Sequence, residues 1–202
     1  MPYPDRFYPV VDSVAWVARL ALLGAGTIQL RAKNLGAADA LQTVKDALEV
    51  IRGTNAKLVV NDYWRAAIEA GAKHLHLGQE DLAAADVGAI RAAGLSLGIS
   101  THDDAELETA LHVNPDYVAL GPIFPTTLKS MRFAPQGIPK ITEWKKRIGQ
   151  LPLVAIGGIK LEQAREIFAA GADSIAVVSD VTQNPEPDAR VRAWLGMKAE
   201  AA

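Results

Sequence analysis

One feature constrains this chain more than any other. A short apolar run of strand type is followed by an alanine-rich helical pattern, and the pair recurs eight times. The runs are Phe7 to Val11, Thr27 to Arg31, Lys57 to Val60, His74 to Leu77, Ser96 to Ser100, Tyr117 to Ile123, Leu153 to Ile156 and Ser174 to Val178. Helical periodicity follows each one, over Ser13 to Leu23, Ala37 to Ile51, Tyr63 to Ala70, Ala83 to Ala93, Asp103 to His112, Ile138 to Ile148, Leu161 to Ala170 and Pro187 to Leu195. The runs are continuously apolar rather than alternating, as strands of a parallel sheet covered on both faces are. Gly24, Gly71, Gly94 and Gly171 lie between a helical pattern and the next strand, where a left-handed residue ends a helix. Eight such units predict an α/β fold, the closed (β/α)₈ or TIM barrel. It would be a single small domain over residues 1–202, with 196–202 as a frayed tail. An open doubly wound sheet is the alternative, but no G-x-G-x-x-G follows the first strand.

Composition narrows the function classes. A net charge of -2 supplies no field for nucleic acid or an anionic membrane. No apolar run reaches the ~18 residues of a membrane span. The segment MPYPDRFYPVVD lacks the basic and apolar regions of a secretory signal, so a cytoplasmic protein acting on small molecules is expected. The absence of cysteine excludes disulfides, thiolate metal sites and a cysteine nucleophile. Oligomeric state is not written in the sequence.

In a barrel of this kind the active site lies at the C-terminal ends of the strands. Those ends carry Gln29, Arg31 and Lys33 on strand two, and Asn61-Asp62 on strand three. Strand four ends in Gly78-Gln79-Glu80-Asp81, and strand five in Ser100-Thr101-His102. Strand six runs out through Thr126-Thr127-Leu128-Lys129. Strand seven ends in Gly157-Gly158, and strand eight in Val178-Ser179. Three cations, Arg31, Lys33 and Lys129, converge on one mouth. Asp62 and Asp81 come from adjacent strands and can share an ion. Hard oxygen ligands beside cations suit Mg²⁺ held partly by substrate phosphates, and a diphosphate satisfies both halves. Gly157-Gly158, taken as the start of the helix after strand seven, would offer backbone N–H groups to a second phosphate.

Each residue also has a plainer reading. Asp62 and Asp81 stand where helix caps would stand, before Tyr63 and Ala83. Arg31 and Lys33 could be rim ion pairs, Gln29 a barrel-layer residue, and Gly157-Gly158 a tight turn. His102 suits a structural histidine near a helix start as well as an acid or base. His74 and His76 share a face and read as packing or rim residues. The agreement of five strand ends on one ligand type favours the functional reading.

The segments Q-L-R-A-K, N-D, H-L-G-Q-E-D, G-I-S-T-H, G-P-I-F-P-T-x-x-K, A-I-G-G-I and A-V-V-S, in this order, resemble the thiamine phosphate synthase family from about Tyr8 to Ser179. The resemblance implies coupling of 4-amino-2-methyl-5-hydroxymethylpyrimidine diphosphate to a thiazole phosphate, with thiamine monophosphate and diphosphate as products and Mg²⁺ as cofactor. It places Gln29, Arg31, Lys33, Asn61, Ser100 and Lys129 on the pyrimidine diphosphate. It places Asp62 and Asp81 on Mg²⁺, and Thr126, Thr127, Leu128, Gly158, Val178 and Ser179 on the thiazole phosphate. The implied mechanism is departure of diphosphate first, then attack by the thiazole nitrogen on a pyrimidinylmethyl cation. Arg31, Lys33 and Lys129 would stabilise the departing charge.

The strand-six loop commonly reads T-x-T-K in this family, and Leu128 stands at a hydroxyl position. Asp180 adds a negative charge beside the expected phosphate end. Two other functions on the same barrel compete. One is a thiazole tautomerase using His102, which has no use for Arg31, Lys33, Asp62, Asp81 and Lys129; the other is a non-catalytic phosphate-ligand sensor, disfavoured by the two metal carboxylates beside the cations, though Leu128 leaves it open. Pro125 to Gln136 is long enough to form a lid.

Overall fold

A computed structural model describes residues 3–125 and 133–197. Strands β1 (Phe7–Val11), β2 (Thr27–Leu30), β3 (Lys57–Asn61), β4 (His74–Leu77), β5 (Ser96–Thr101), β6 (Tyr117–Leu120), β7 (Leu153–Ile156) and β8 (Ser174–Val177) pair in chain order, all parallel. β8 pairs back onto β1, with Phe7 opposite Ile175, so the barrel closes as expected.

Alternation along the strands builds two cores. Val11, Leu30, Val60, Leu77, Ile99, Leu120, Ala155 and Val177 face outward and pack under the helices. Tyr8, Val10, Val59, Tyr117, Ala119, Val154 and Ala176 fill the barrel interior. The interior is therefore packed rather than a pore. Its lower end is closed by Tyr3, whose ring stacks on His74 at 4.5 Å.

The covering helices are α1 (Val14–Leu22), α2 (Ala37–Val50), α3 (Trp64–Ala70), α4 (Gln79–Ala84), α5 (Val87–Ala92), α6 (Asp104–His112), α7 (Gly137–Ile148), α8 (Ala164–Ala169), α9 (Ser179–Thr182) and α10 (Pro187–Leu195). Ser13, Asp86 and Asp103 cap α1, α5 and α6 by accepting from Trp16, Ala89 and Glu106 N–H groups. Gly24, Gly71, Gly94 and Gly171 all have positive φ, from 74° to 109°.

Several boundaries differ from the sequence reading. The single helix expected over Ala83 to Ala93 is two helices, because Ala85 is extended and Asp86 caps a fresh start. Asp81 therefore lies in the first turn of α4 and does not cap a helix at Ala83. Asp62 is no cap either; it has φ 65°, and Tyr63 precedes α3 without a side-chain capping bond. β6 stops at Leu120, since Gly121-Pro122 turns the chain, yet Ile123 N still donates to Ile156 O at 2.9 Å. Gly157-Gly158 does not open a helix: Ile159-Lys160 intervene before a 3₁₀ turn, Leu161–Gln163. α9 was not anticipated. Gly196 and Met197 continue from α10, with Gly196 N donating to Arg192 O. The remainder of the expected tail, 198–202, lies outside the described residues. Among the described residues no helix is long and apolar enough to cross a membrane.

Candidate active site

A cavity of about 810 Å³ opens at the C-terminal ends of the strands. Gln29, Arg31 and Lys33 enter it from β2 and the chain after it, and Asn61 and Asp62 from the end of β3. Asp81 comes from α4 and Ser100 from β5. Gly158, Val178 and Ser179 form the wall after β7 and β8. Thr126, Thr127, Leu128 and Lys129 lie outside the described residues, as does most of the expected lid.

Asp62 and Asp81 both line this cavity, and each acts on the ionisation of the other. Asp62 gets there through its left-handed backbone, fixed by its N–H donating to His76 O at 2.9 Å. Burial opposes its ionisation, but the hydrogen bond and charge of Lys33 outweigh that and hold Asp62 below the ordinary carboxylate range. Burial, then the Asp62 charge, push Asp81 upward. Two carboxylates this close want a cation between them. Among the described residues no group of three or more His, Cys, Asp or Glu gathers, so any metal here would have two protein carboxylates at most. That donor set fits Mg²⁺, which binds through one or two carboxylates and completes its shell with water and phosphate oxygens.

Beside the pair stand two donors, Arg31 and Asn61. Among the described residues Arg31 forms no ion pair, while Lys33 is paired with Asp62. Asn61 is 5% exposed, and among the described residues its Nδ2 has no hydrogen-bond partner. A buried amide donor and a guanidinium without an ion pair among the described residues, facing one cavity, are complementary to an oxyanion.

The other end of the cavity is shaped by close backbone approach. A Cβ on Gly158, whose φ is 68°, would come within 2.5 Å of Pro125 O, and one on Gly157 within 2.7 Å of Pro122. Only glycines allow the β6 and β7 loops to meet there. Asp180 does not face the cavity as a charge. Arg190 donates to both its oxygens at 2.8 Å, and Trp194 Nε1 donates at 2.8 Å, so the carboxylate is locked toward α10.

Comparison with known proteins gives one answer. The family model described as thiamine monophosphate synthase matches residues 7–181. The thiamine-phosphate synthase of Rhizobium etli is 52% identical over 195 residues, covering 96% of each chain. That of Escherichia coli is 50% identical over 183 residues, 91% of this chain and 87% of its own. The chain belongs to the thiamine monophosphate synthase family. It is a transferase of thiamine biosynthesis. A solved thiamine phosphate pyrophosphorylase from Pyrococcus furiosus superposes with a TM-score of 0.78 at 29% identity, covering 94% of this chain and 93% of its own. A 3-hexulose-6-phosphate synthase superposes at 0.68 with 14% identity, a likeness of fold alone.

For a synthase of this family the structure adds residues that the sequence reading passed over. His76, taken there for packing or rim, lies inside the barrel. Its Nδ1 meets Tyr117 Oη at 2.9 Å and its Nε2 meets Ser100 Oγ at 2.7 Å. Burial, with Arg31 and Lys33 nearby, depresses it to about 4 against the pull of Asp62, so it is neutral at pH 7. Tyr8 also lines the cavity and accepts from Gln29 Nε2 at 2.8 Å. His102 reaches the cavity, but its Nδ1 is tied to Glu106 at 2.6 Å and its ring lies flat on Phe133 at 4.6 Å. Those contacts suit a structural histidine. Gln79 lines the cavity and donates to Ser100 O at 2.7 Å, bracing the strand end that carries Ser100.

Proposed function

We propose that this transferase joins 4-amino-2-methyl-5-hydroxymethylpyrimidine diphosphate to a thiazole phosphate, releasing diphosphate and forming thiamine monophosphate. The observation that carries this reading is the placement of Arg31 and Asn61 Nδ2, donors without an acceptor among the described residues, beside the Asp62–Asp81 pair in one cavity. A diphosphate ester is the ligand that uses the donors and the carboxylates together, the latter through Mg²⁺. Bound there, Mg²⁺ would supply Lewis-acid neutralisation of the diphosphate oxygens.

The chain's own residues divide the remaining work. Arg31 and Lys33, which line the cavity, and Lys129, assigned from the sequence resemblance, would stabilise the charge that builds on the leaving diphosphate as its C–O bond breaks. Asn61 donates to a phosphate oxygen. Gln29 and Ser100 orient the pyrimidine, whose amino group delocalises the positive charge left on the methylene carbon. The thiazole phosphate would be held at the opposite wall by Gly158, Val178 and Ser179, with backbone N–H groups of a helix start among the donors, and by Thr126, Thr127 and Leu128 as the sequence resemblance implies. Its ring nitrogen attacks the cation from there. Asp180, neutralised by Arg190, does not oppose the phosphate. No protein nucleophile is required; positioning and exclusion of water are. The small-molecule partners account for the cavity, and a cytoplasmic setting supplies both.

The test is a turnover assay with the two substrates, following thiamine monophosphate and diphosphate together. Equal amounts of the two products are expected. Release of diphosphate without thiamine monophosphate, or no reaction from folded protein, rejects the reading.

A further inference from the structure

Five side chains from five strands form an unbroken hydrogen-bonded line through the barrel interior. Gln29 Nε2 donates to Tyr8 Oη at 2.8 Å. Tyr8 Oη meets Tyr117 Oη at 2.8 Å. Tyr117 Oη meets His76 Nδ1 at 2.9 Å, and His76 Nε2 meets Ser100 Oγ at 2.7 Å. The two ends, Gln29 and Ser100, line the cavity. The middle is buried: Tyr117 is 0%, Tyr8 1% and His76 5% exposed, with Tyr8 and His76 at the cavity floor.

Proton counting gives the line a direction. Each phenol has one proton, and so has a neutral imidazole. Because Gln29 donates to Tyr8, the Tyr8 proton goes to Tyr117, the other partner of its hydroxyl. The Tyr117 proton then goes to His76 Nδ1. An accepting Nδ1 leaves the imidazole proton on Nε2, directed at Ser100 Oγ. Ser100 thus receives a hydrogen bond from within the barrel, and its own proton is turned toward the cavity. Reversing any one member would leave a buried proton without an acceptor or set two protons face to face. Only reversal of the whole line, with the Gln29 carbonyl toward Tyr8, is also self-consistent. Ser100 would then be an acceptor for the ligand.

We propose that Tyr8, Tyr117 and His76 are positioning residues whose one-way line fixes Ser100 as a hydrogen-bond donor to an acceptor atom of the pyrimidine substrate. The line also couples the two polar contacts on that substrate: Gln29 and Ser100 cannot change polarity independently. The identity of the acceptor rests on the synthase reading; the direction of the line does not.

The deciding experiment is imidazole ¹⁵N NMR on protein labelled at histidine, with the His76 signals assigned by their loss in His76→Gln. The Nε2–H tautomer with an unprotonated Nδ1 is expected. The Nδ1–H tautomer means the line runs the other way and overturns the proposal. Kinetics supply the functional half. Tyr117→Phe removes one hydroxyl and keeps the ring. It should lower kcat/KM for the pyrimidine diphosphate roughly tenfold, the scale of one net hydrogen bond, and leave KM for the thiazole phosphate unchanged. Added to Ser100→Ala, the same change should cost less than twofold, because the line then has no Ser100 to orient. A full additional tenfold loss in that background overturns the positioning role. If the wild type couples no substrates, the synthase reading fails, while the His76 tautomer still decides the direction of the line.

Discussion

The phenol ring of Tyr117 occupies the place where Gly98 would carry a side chain. The two are register partners on β6 and β5, and a Cβ on Gly98 would lie 1.9 Å from Tyr117 Cζ. The missing side chain is what lets a tyrosine cross the barrel interior and reach both Tyr8 and His76. Gly98→Ala must therefore displace the ring in a packed interior. Overpacking of this kind costs about 1–3 kcal/mol, and the midpoint of urea unfolding should fall accordingly, with a loss of turnover. An unchanged midpoint would mean that the ring can move freely.

Asp180 and Arg190 belong to the scaffold and not to the chemistry. Arg190 bridges Asp180 and Glu162, and the Asp180 side chain is 6% exposed. Arg190→Met leaves Asp180 with only the indole N–H of Trp194, and loss of one partner from a mostly buried pair costs about 3 kcal/mol. The thermal midpoint should drop. KM for both substrates should stay within twofold at temperatures where the variant is folded. A large rise in KM for the thiazole phosphate would place Asp180 in the site after all.

His76 gives the protein a specific acid sensitivity. Its value drops from 6.5 to about 4 on folding because burial disfavours the imidazolium. Between those two pH values the unfolded chain binds a proton that the native protein does not, so stability falls as pH is lowered from about 6.5 to 4. The loss levels off below that. The interval corresponds to about 3 kcal/mol. Unfolding free energies of wild type and His76→Gln, measured across pH 4 to 7, should fall more steeply with acidification in the wild type; burial of His74 leaves a smaller slope of the same sign in both. Parallel curves would contradict a neutral buried His76.

The barrel was legible because each parallel strand writes a continuous apolar run and each helix a 3.6-residue period. What escaped was too short or too local to carry a period. α9 has four residues, and the split between α4 and α5 hangs on Asp86 alone. In the site, the charged strand ends were legible because Arg31, Lys33, Asp62 and Asp81 stand out against apolar strands. Tyr8, Tyr117 and His76 did not stand out, since an aromatic or histidine on an alternating strand resembles a barrel-layer residue. Only the register brings their polar atoms together. Arg190 lies ten residues beyond Asp180 and across a loop, a spacing that no local pattern marks.

Lys129 was assigned from sequence and lies outside the described residues. If it stabilises the departing diphosphate, Lys129→Ala should lower kcat by roughly 10²-fold, with a smaller effect on KM. Steady-state kinetics at saturating substrates would show it. An unchanged kcat removes Lys129 from the chemistry.

The claim that organises the site is that Asp62 and Asp81 hold Mg²⁺, and Mg²⁺ the diphosphate. The most direct measurement is a Mg²⁺ titration of the coupling rate, in wild type and in Asp62→Asn and Asp81→Asn. The wild type should be inactive in chelator and saturate with Mg²⁺. Each variant should need at least tenfold more Mg²⁺ or fail to saturate, with its circular dichroism unchanged. Full wild-type rates in chelator, or wild-type Mg²⁺ dependence in both variants, would contradict the account.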